Sequence, residues 1–423
     1  MKVFKFGGGI LHSAEEIMKM PGIIRMFPDE PLLIVVSAFG KTTNALERLV
    51  DSAFNASTDR DGILQEIEDY HNGIIRVLFP DNPNPVSRQV DAFYKELQSS
   101  ISDVFTADYP EFYDKIICYG ELISSTIIHY FISQTGIRNE WLDVREILKT
   151  DSTFRDATID WEKSFNLTQE KIKPVLADNS GYQNIIITQG FIGSDLQGRP
   201  TSLGREGSDY TASIFANLLD AGEVIIWKDV PGILNADPRH FRQTVRLDEL
   251  SYAEATELAY YGAKVLHPKT IKPLQNKQIP MQVRSYLNPA EAGTRIHAGA
   301  SPDQFIPSFI FKFDQVLISV SKKDLSFVNE QLFSDVFSLL SKYSIHMNIL
   351  QNSALTLTCC FDHTSRLENL VRELQSQYNV KYNAGLELIT IRHYNEKAAE
   401  HVLQGKEVLL EQQNRTVVQF VVR

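Results

Sequence analysis

The sequence predicts a layered α/β domain followed by smaller α+β modules, and three observations carry that fold class. Short β-branched runs recur through the N-terminal two thirds: Leu32-Leu33-Ile34-Val35-Val36, Ile185-Ile186-Ile187-Thr188 and Glu223-Val224-Ile225-Ile226-Trp227. They are unbroken rather than alternating, as strands buried on both faces of a parallel sheet require. Amphipathic stretches lie between them. Glu121 to Gln134, for example, sets Leu122, Ile123, Thr126, Ile127, Tyr130 and Phe131 on one side at helical spacing. Beyond residue 302 the elements shorten into β-α-β runs, the pattern of small ferredoxin-like units.

Taken in order, Ser13-x-x-Glu16 and Ser251-x-x-Glu254 are capping boxes that open helices. Asp51 to Tyr113 is polar and helical, interrupted at Pro80-Asp81-Asn82-Pro83-Asn84-Pro85, and reads as a helical insertion over the sheet. A linker rich in Gly, Ala and Pro runs from Gly293 to Pro302 and places the domain boundary at 297/298. After it come strands at Val316–Val320, Ile345–Leu350 and Leu355–Phe361, with helices at Glu330–Tyr343 and Thr364–Gln377. A second round has a strand at Leu386–Ile391, a helix at Asn395–Leu410 and a strand at Thr416–Val422, with no final helix after it.

The 423 residues are too many for one ordinary core. The balance of 42 basic and 53 acidic residues, net −11, argues against nucleic-acid binding, which needs clustered Lys and Arg. The three cysteines, Cys118, Cys359 and Cys360, lack C-x-x-C spacing. The adjacent pair in a strand points to opposite faces, so neither a disulfide framework nor a zinc site is expected, and the cytoplasm is the expected home. No signal peptide and no run of 18 or more apolar residues is legible, so no membrane span is expected.

Several motifs point to phosphate and carboxylate chemistry. Lys5-Phe6-Gly7-Gly8-Gly9 follows a strand and precedes the capped helix at Ser13. Glycines there let backbone N–H groups approach a phosphate, and a lysine at the strand end supplies a point charge; a ligand-free tight turn is the plain alternative. Gly40-Lys41-Thr42 is not a Walker A tail, because Val35 stands where that motif needs glycine. Thr42, Thr43 and Asn44 begin a helix, either binding a substrate or capping that helix. Glu121, after Gly120, sits in a helix's first turn, where the dipole favours a carboxylate with or without a ligand.

Leu203-Gly204-Arg205-Glu206-Gly207-Ser208-Asp209 crowds an arginine suited to gripping carboxylate and an aspartate before a helix. An Asp N-cap beside a surface Arg explains the same letters. Lys228 to Arg239 leaves the C-terminal end of a strand, where open α/β sheets bind ligands. Lys264, near the end of the helix from Ser251, is compatible with a dipole-favoured surface site, and His267 before Pro268 with a structural histidine.

The order and spacing of these strings resemble the monofunctional aspartokinase family across nearly the whole chain. The strings are KFGG at Lys5–Gly8, VVSAFGKTTN at Val35–Asn44, GE at Gly120-Glu121 and LGREGSDYTA at Leu203–Ala212. DVPGILNADPR at Asp229–Arg239, GAKVLHP at Gly262–Pro268 and VRS at Val283–Ser285 complete the set. The resemblance implies a three-layer α/β/α amino-acid-kinase domain over residues 1–297, carrying the helical insertion. Residues 298–423 would then be tandem ferredoxin-like ACT modules.

It implies transfer of the γ-phosphoryl group of ATP to the β-carboxylate of aspartate, the first step toward lysine, threonine and methionine. Mg²⁺ would ride on the nucleotide, with no protein metal ligands. By motif, Lys5 would stabilise the transferring phosphoryl group and Asp209 would organise the lysines around it. Arg205 would clamp the α-carboxylate, Glu121 the ammonium, and Ser37 and Thr43 the rest of the substrate. Gly7, Gly8, Lys228, Asp229, Leu234, Arg239, Lys264 and Val265 would line the nucleotide site, and Met347, Asn348 and Ser353 an effector site for lysine or threonine. A homodimer through the ACT modules is also implied.

The chain departs from the family pattern in places: Gly9 and Ile10 stand for Thr and Ser, Glu206 for Gly, Lys228 for Thr, Leu234 for Tyr, and Met347-Asn348-Ile349 sits where the family often has an effector-binding Asp. Ser353-Ala354 stands for a serine–acid pair. Two rivals remain open at this point, another amino-acid kinase with the same sheet and a non-catalytic amino-acid sensor.

Overall fold

The computed structural model describes residues 1–423 except 58, 83, 103–107, 178–183, 264–265, 301–305 and 325, together with the side chain at 84. The chain divides into two compact units. The first comprises Met1–Ile233, Arg246–Thr256 and Leu266–Ser301; the second comprises Leu234–Val245, Glu257–Val265 and Pro302–Arg423. Two short segments upstream of the linker thus group with the C-terminal part. Ala236 and Phe241 of the first segment share a core cluster with Phe309, Ile389, Ile391, Val418 and Phe420, and Glu257 of the second accepts from Arg392 at 2.8 Å.

In the first unit the strands are β1 (Lys2–Phe6), β2 (Leu32–Val36), β3 (Glu140–Leu142), β4 (Ile185–Gln189), β5 (Ile192–Ser194), β6 (Pro200–Ser202), β7 (Glu223–Lys228), β8 (Glu249–Leu250), β9 (Met281–Ser285) and β10 (Thr294–Ile296). Eight of them form one sheet in the order β3-β4-β2-β1-β7-β9-β10-β8, while β5 and β6 form a separate hairpin. From β3 to β9 every neighbouring pair is parallel. The unbroken apolar runs are the buried strands, as expected: every residue of β2 and β4 is buried, and all but the last of β7. Strand β1 lies at the switch point. The chain runs outward through β2 and β4 on one side and resumes with β7 on the other. Crevices at such points, beyond the carboxyl ends of the strands, are where open α/β sheets take ligands.

The insertion is helical, with helices Arg60–Leu78, Asn84–Ser102 and Tyr109–Ile117. The last runs almost directly into Tyr119–Gln134, and Tyr109–Gln134 taken together is long and apolar enough to cross a membrane. Here it is largely buried inside the first unit. At both capping boxes the serine accepts from the expected backbone N–H, Glu16 for Ser13 and Glu254 for Ser251.

The second unit holds β11 (Ser308–Ser321), β12 (Met347–Asn352), β13 (Thr356–Asp362), β14 (Asn379–Arg392), β15 (Val408–Gln413) and β16 (Val417–Val422), in the order β12-β13-β11-β14-β16-β15. The modules do not simply follow one another. Strands β11 and β14 are each 14 residues long and shared: Gln315–Ser321 pairs with the first half of β14, and Ser308–Lys312 with its second half. A register shift after Lys312, with Asp314 at φ 52°, and Gly385 at φ 69° mark where each strand passes from one module to the next. The first module, a complete β-α-β-β-α-β unit, is therefore inserted between the strands of the second. The helix Glu396–Leu403 is shorter than expected because β15 begins at Val408. Cys359 and Cys360 do enter opposite core clusters, and burial pushes both thiols up to about 12.

Candidate functional site

The carboxyl ends of β1 and β2 open into a cavity of about 600 Å³ within the first unit. Its floor is the glycine turn after β1. A Cβ at Gly8 would stand 2.4 Å from the Ala38 carbonyl, so only glycine lets this turn pack against the loop after β2. Lys5, the fourth residue of β1, points into the cavity and is 7% exposed.

The helix Gly207–Leu218 begins beneath it. Asp209 is fully buried in its first turn and does not cap it; the N-cap is Glu206, which makes no side-chain capping bond. Instead Asp209 Oδ1 lies 2.6 Å from Lys5 Nζ and Oδ2 3.3 Å from Lys228 Nζ. Burial works against the charge on Asp209, but the Lys5 and Lys228 ammonium groups outweigh it and hold the carboxyl below its ordinary range. Burial equally opposes the charge on Lys228, yet the Asp209 carboxylate beside it, with Glu206 and Asp229 further out, pushes its value up.

Glu121 has the opposite fate. It lies in the first turn of Tyr119–Gln134, 3% exposed, and lines the cavity. Its Oε1 accepts the Ala38 N–H at 3.3 Å, while Oε2 has no hydrogen-bond partner among the described residues. Burial pushes the carboxyl up to about 8, against the Ala38 N–H and the more distant Lys5 charge. A buried acid in the cavity lining with one oxygen left unpartnered among the described residues suits a ligand cation.

Ser37 and Thr43 line the same wall; the Ser37 carbonyl is held by Ser124 Oγ at 2.9 Å. Thr43 belongs to the helix Thr42–Phe54, whose N-cap is Lys41, so it is not spent on capping. Arg205 stands exposed on the facing wall, next to Glu206, whose φ of 55° places a non-glycine residue in the left-handed region.

Sequence reasoning did not single out the outer wall. Arg155 stacks over the Tyr113 ring at 4.4 Å, and Tyr113 donates to Glu47 at 2.7 Å; all three line the cavity. Buried Asp114 ties these loops together, accepting from the Arg155 and Ser202 backbone N–H groups and from Ser202 Oγ at 2.9, 2.8 and 2.5 Å. Burial pushes its pKa up, against those bonds. The available signal was a charged residue interrupting the apolar face of Phe112-Tyr113-Asp114-Lys115-Ile116-Ile117.

Lys5, Gly8, Ser37, Thr43, Glu121, Arg205 and Asp209 therefore meet in one cavity. Lys228 joins through Asp209, and Gly7 leaves room for the Lys5 ammonium, since a Cβ there would sit 3.0 Å from it. Asp229 is exposed just beyond β7. Leu234 and Arg239 belong to the second unit, where Asp237 engages the Arg239 guanidinium through contacts at 3.0 and 2.6 Å. Lys264 and Val265 lie outside the described residues. His267 is structural, accepting the Lys269 N–H as the N-cap of Pro268–Lys277.

In the second unit Asn348, on β12, is saturated within the chain. It accepts from Lys312 Nζ at 2.8 Å and donates to Gln315 and Asp362 at 2.9 and 3.0 Å. Met347 opens the same strand, and Ser353 closes the turn to β13 by accepting the Thr356 N–H at 3.2 Å.

A sheet-switch cavity with paired lysines on a buried aspartate is a phosphoryl-transfer type of site, and residues 1–285 match the amino acid kinase family. The chain belongs to that family. It is 29% identical over 398 residues to lysine-sensitive aspartokinase 3 of Escherichia coli, covering 92% of this chain and 86% of that one. It is 35% identical over 297 residues to the aspartokinase of Chlamydia pneumoniae, covering 70% and 62%. It spans only 32% of the bifunctional aspartokinase/homoserine dehydrogenase 1 of maize, which it also matches. The crystal structure of E. coli aspartokinase III in complex with aspartate and ADP superposes with a TM-score of 0.83 at 27% identity, covering all of this chain and 96% of that one. The same enzyme has also been solved with lysine and aspartate.

Proposed function

We propose that this protein is an aspartate kinase, which transfers the γ-phosphoryl group of ATP to the β-carboxylate of aspartate and yields 4-phosphoaspartate and ADP. The observation that carries the proposal is one cavity lined by a cation-poor acid, Glu121, and by the Lys5–Asp209 pair, whose aspartate Lys228 also contacts. Likeness to an enzyme solved with aspartate and ADP supports it.

Glu121 takes the ammonium of aspartate, Arg205 its α-carboxylate, and Ser37 and Thr43 orient the remainder. Lys5 meets the charge that develops on the transferring phosphoryl group, and Gly7 and Gly8 let backbone approach the nucleotide. A carboxylate is already a competent nucleophile, so no general base is required. Among the described residues no group of three or more His, Cys, Asp or Glu is placed to hold a metal. Magnesium would be carried by the nucleotide phosphates, where it would offset their charge. Asp229, Leu234, Arg239, Lys264 and Val265 remain nucleotide-site assignments by motif.

We further place the enzyme in the cytoplasm, at the head of lysine, threonine and methionine formation, as a homodimer joined through an open edge of the second unit's sheet, β12 or β15. Lysine is its expected effector, by likeness to an enzyme solved with lysine.

An ADP-release assay with ATP, Mg²⁺ and a panel of amino acids tests the activity. Turnover with aspartate alone supports it. No turnover with any carboxylate, under conditions where ATP binds, sinks it in favour of a sensor.

A further inference from the structure

Lys228 ends β7, and its side chain is 18% exposed with the ammonium 3.3 Å from Asp209 Oδ2. We propose that Lys228 is a positioning residue for phosphoryl transfer: by sharing Asp209 with Lys5, it keeps the buried carboxylate paired while the Lys5 ammonium turns to the phosphoryl group. The inference rests on the kinase reading and deepens it, because it assigns Lys228 to the reacting end rather than to general nucleotide contact.

The charge balance argues for it. A buried one-to-one pair is neutral, and withdrawing its lysine strands a carboxylate in a low-dielectric interior. Asp209 is 0% exposed, and its two oxygens face different lysines. The Lys5–Asp209–Lys228 cluster thus carries one net positive charge, and either lysine alone keeps the aspartate paired. Lys5 is the member that lines the cavity, and the absence of a side chain at Gly7 leaves the space beside its ammonium unfilled. Among the described residues, Glu206, one turn before Asp209, and Asp229 also act on Lys228; both are exposed and sit outside the buried contact.

Lys228→Met keeps the stem and removes the charge, and Lys228→Arg restores it. Both are compared with the wild-type full chain by steady-state kinetics from pH 6 to 9, by thermal melting, and by calorimetric titration of ATP and ADP without aspartate. Lys228→Met is expected to lose about 100-fold in kcat while KM for aspartate stays within about threefold. The acidic limb of its pH–rate profile moves to higher pH, since Asp209 has lost one of two cations holding it ionised. Its preference for ATP over ADP falls, and Lys228→Arg recovers most of each property.

A Lys228→Met enzyme with kcat within about threefold of wild type overturns the proposal. So does a loss that tracks melting alone, with the profile unmoved and no recovery in Lys228→Arg. Should wild type fail to turn over aspartate, the kinase reading fails. The titrations then decide for Lys228, a reduced ATP-over-ADP preference supporting its role at the terminal phosphate and an unchanged one overturning it.

Discussion

Glu121→Gln tests the substrate half of the site, and its effect can be worked from the structure. The wild-type carboxyl, ordinarily near 4.5, sits at about 8 because burial outweighs the backbone N–H groups of Ala38 and Glu121 and the Lys5 charge, with Oε2 left unpartnered among the described residues. At pH 7 the free enzyme therefore holds it protonated by about ten to one, and ionising it costs about 1.4 kcal/mol. An ammonium ligand needs the anion, so aspartate affinity should rise about tenfold from pH 6 to 7, less from 7 to 8, and level off above. Binding at pH 7 should release close to one proton, read by calorimetry in buffers of different ionisation enthalpy. The glutamine variant loses a charge-assisted bond of about 2–3 kcal/mol, weakening aspartate about 30- to 150-fold at pH 8.5 and abolishing the pH dependence.

Stability should move the other way. The folded-state value lies above 4.5, so this contribution is fully present below pH 4.5 and is lost as pH rises through 8. That loss is at most about 5 kcal/mol for a fully buried group. Glu121→Gln should accordingly melt higher than wild type at pH 8.5 in the absence of ligand. Aspartate affinity that is flat from pH 6 to 8.5, with no proton released, would refute the reasoning.

Further outcomes follow from other residues. Lys5→Ala removes the ammonium proposed to face the transferred phosphoryl group and should lower kcat by about 10²–10³-fold with an unchanged circular dichroism spectrum; near-normal kcat would remove Lys5 from that role. Glu206→Gly relieves a left-handed φ of 55° and should stabilise the first unit by about 1 kcal/mol, seen as a higher melting temperature. Lys312→Met frees Asn348 and should lower the lysine concentration giving half-maximal inhibition by about fivefold or more, since an intramolecular ammonium no longer occupies that amide. Equal inhibition in both enzymes would place the effector elsewhere.

Much of the first unit was legible because its signals are local. Runs such as Leu32–Val36 are apolar throughout only when both faces are covered, and the structure buries all five residues. The motif lysine, glycines and acids converge because each terminates a strand or opens a helix at one edge of the sheet. What escaped depends on contacts distant in sequence. Asp114 and Ser202 meet across 88 residues, and Arg155 reaches Tyr113 from an irregular loop, so no periodicity announces them. The shared strands β11 and β14 were misjudged for a related reason. Only one half of each, Val316–Val320 and Leu386–Ile391, reads as a strand, because the bend at Asp314 and Gly385 breaks the alternation that register depends on.

The two buried acids of the cavity explain each other. Asp209 is kept ionised by two lysines, so it adds no demand for a further cation. Among the described residues Glu121 is the acid left without one: Lys5, whose charge it feels, is paired with Asp209 in the free enzyme, and backbone N–H groups are what reach its carboxyl. The site is thus one positive charge short at one end and one positive charge rich at the other. An amino acid with a side-chain carboxylate can satisfy both, placing its ammonium on Glu121 and its nucleophilic oxygens toward the lysines. A dicarboxylic acid lacking the amine leaves Glu121 to retain its proton and gains nothing there. Selectivity for an amino substrate therefore follows from the missing partner of Glu121, and the same vacancy is what makes the free enzyme less stable as pH rises.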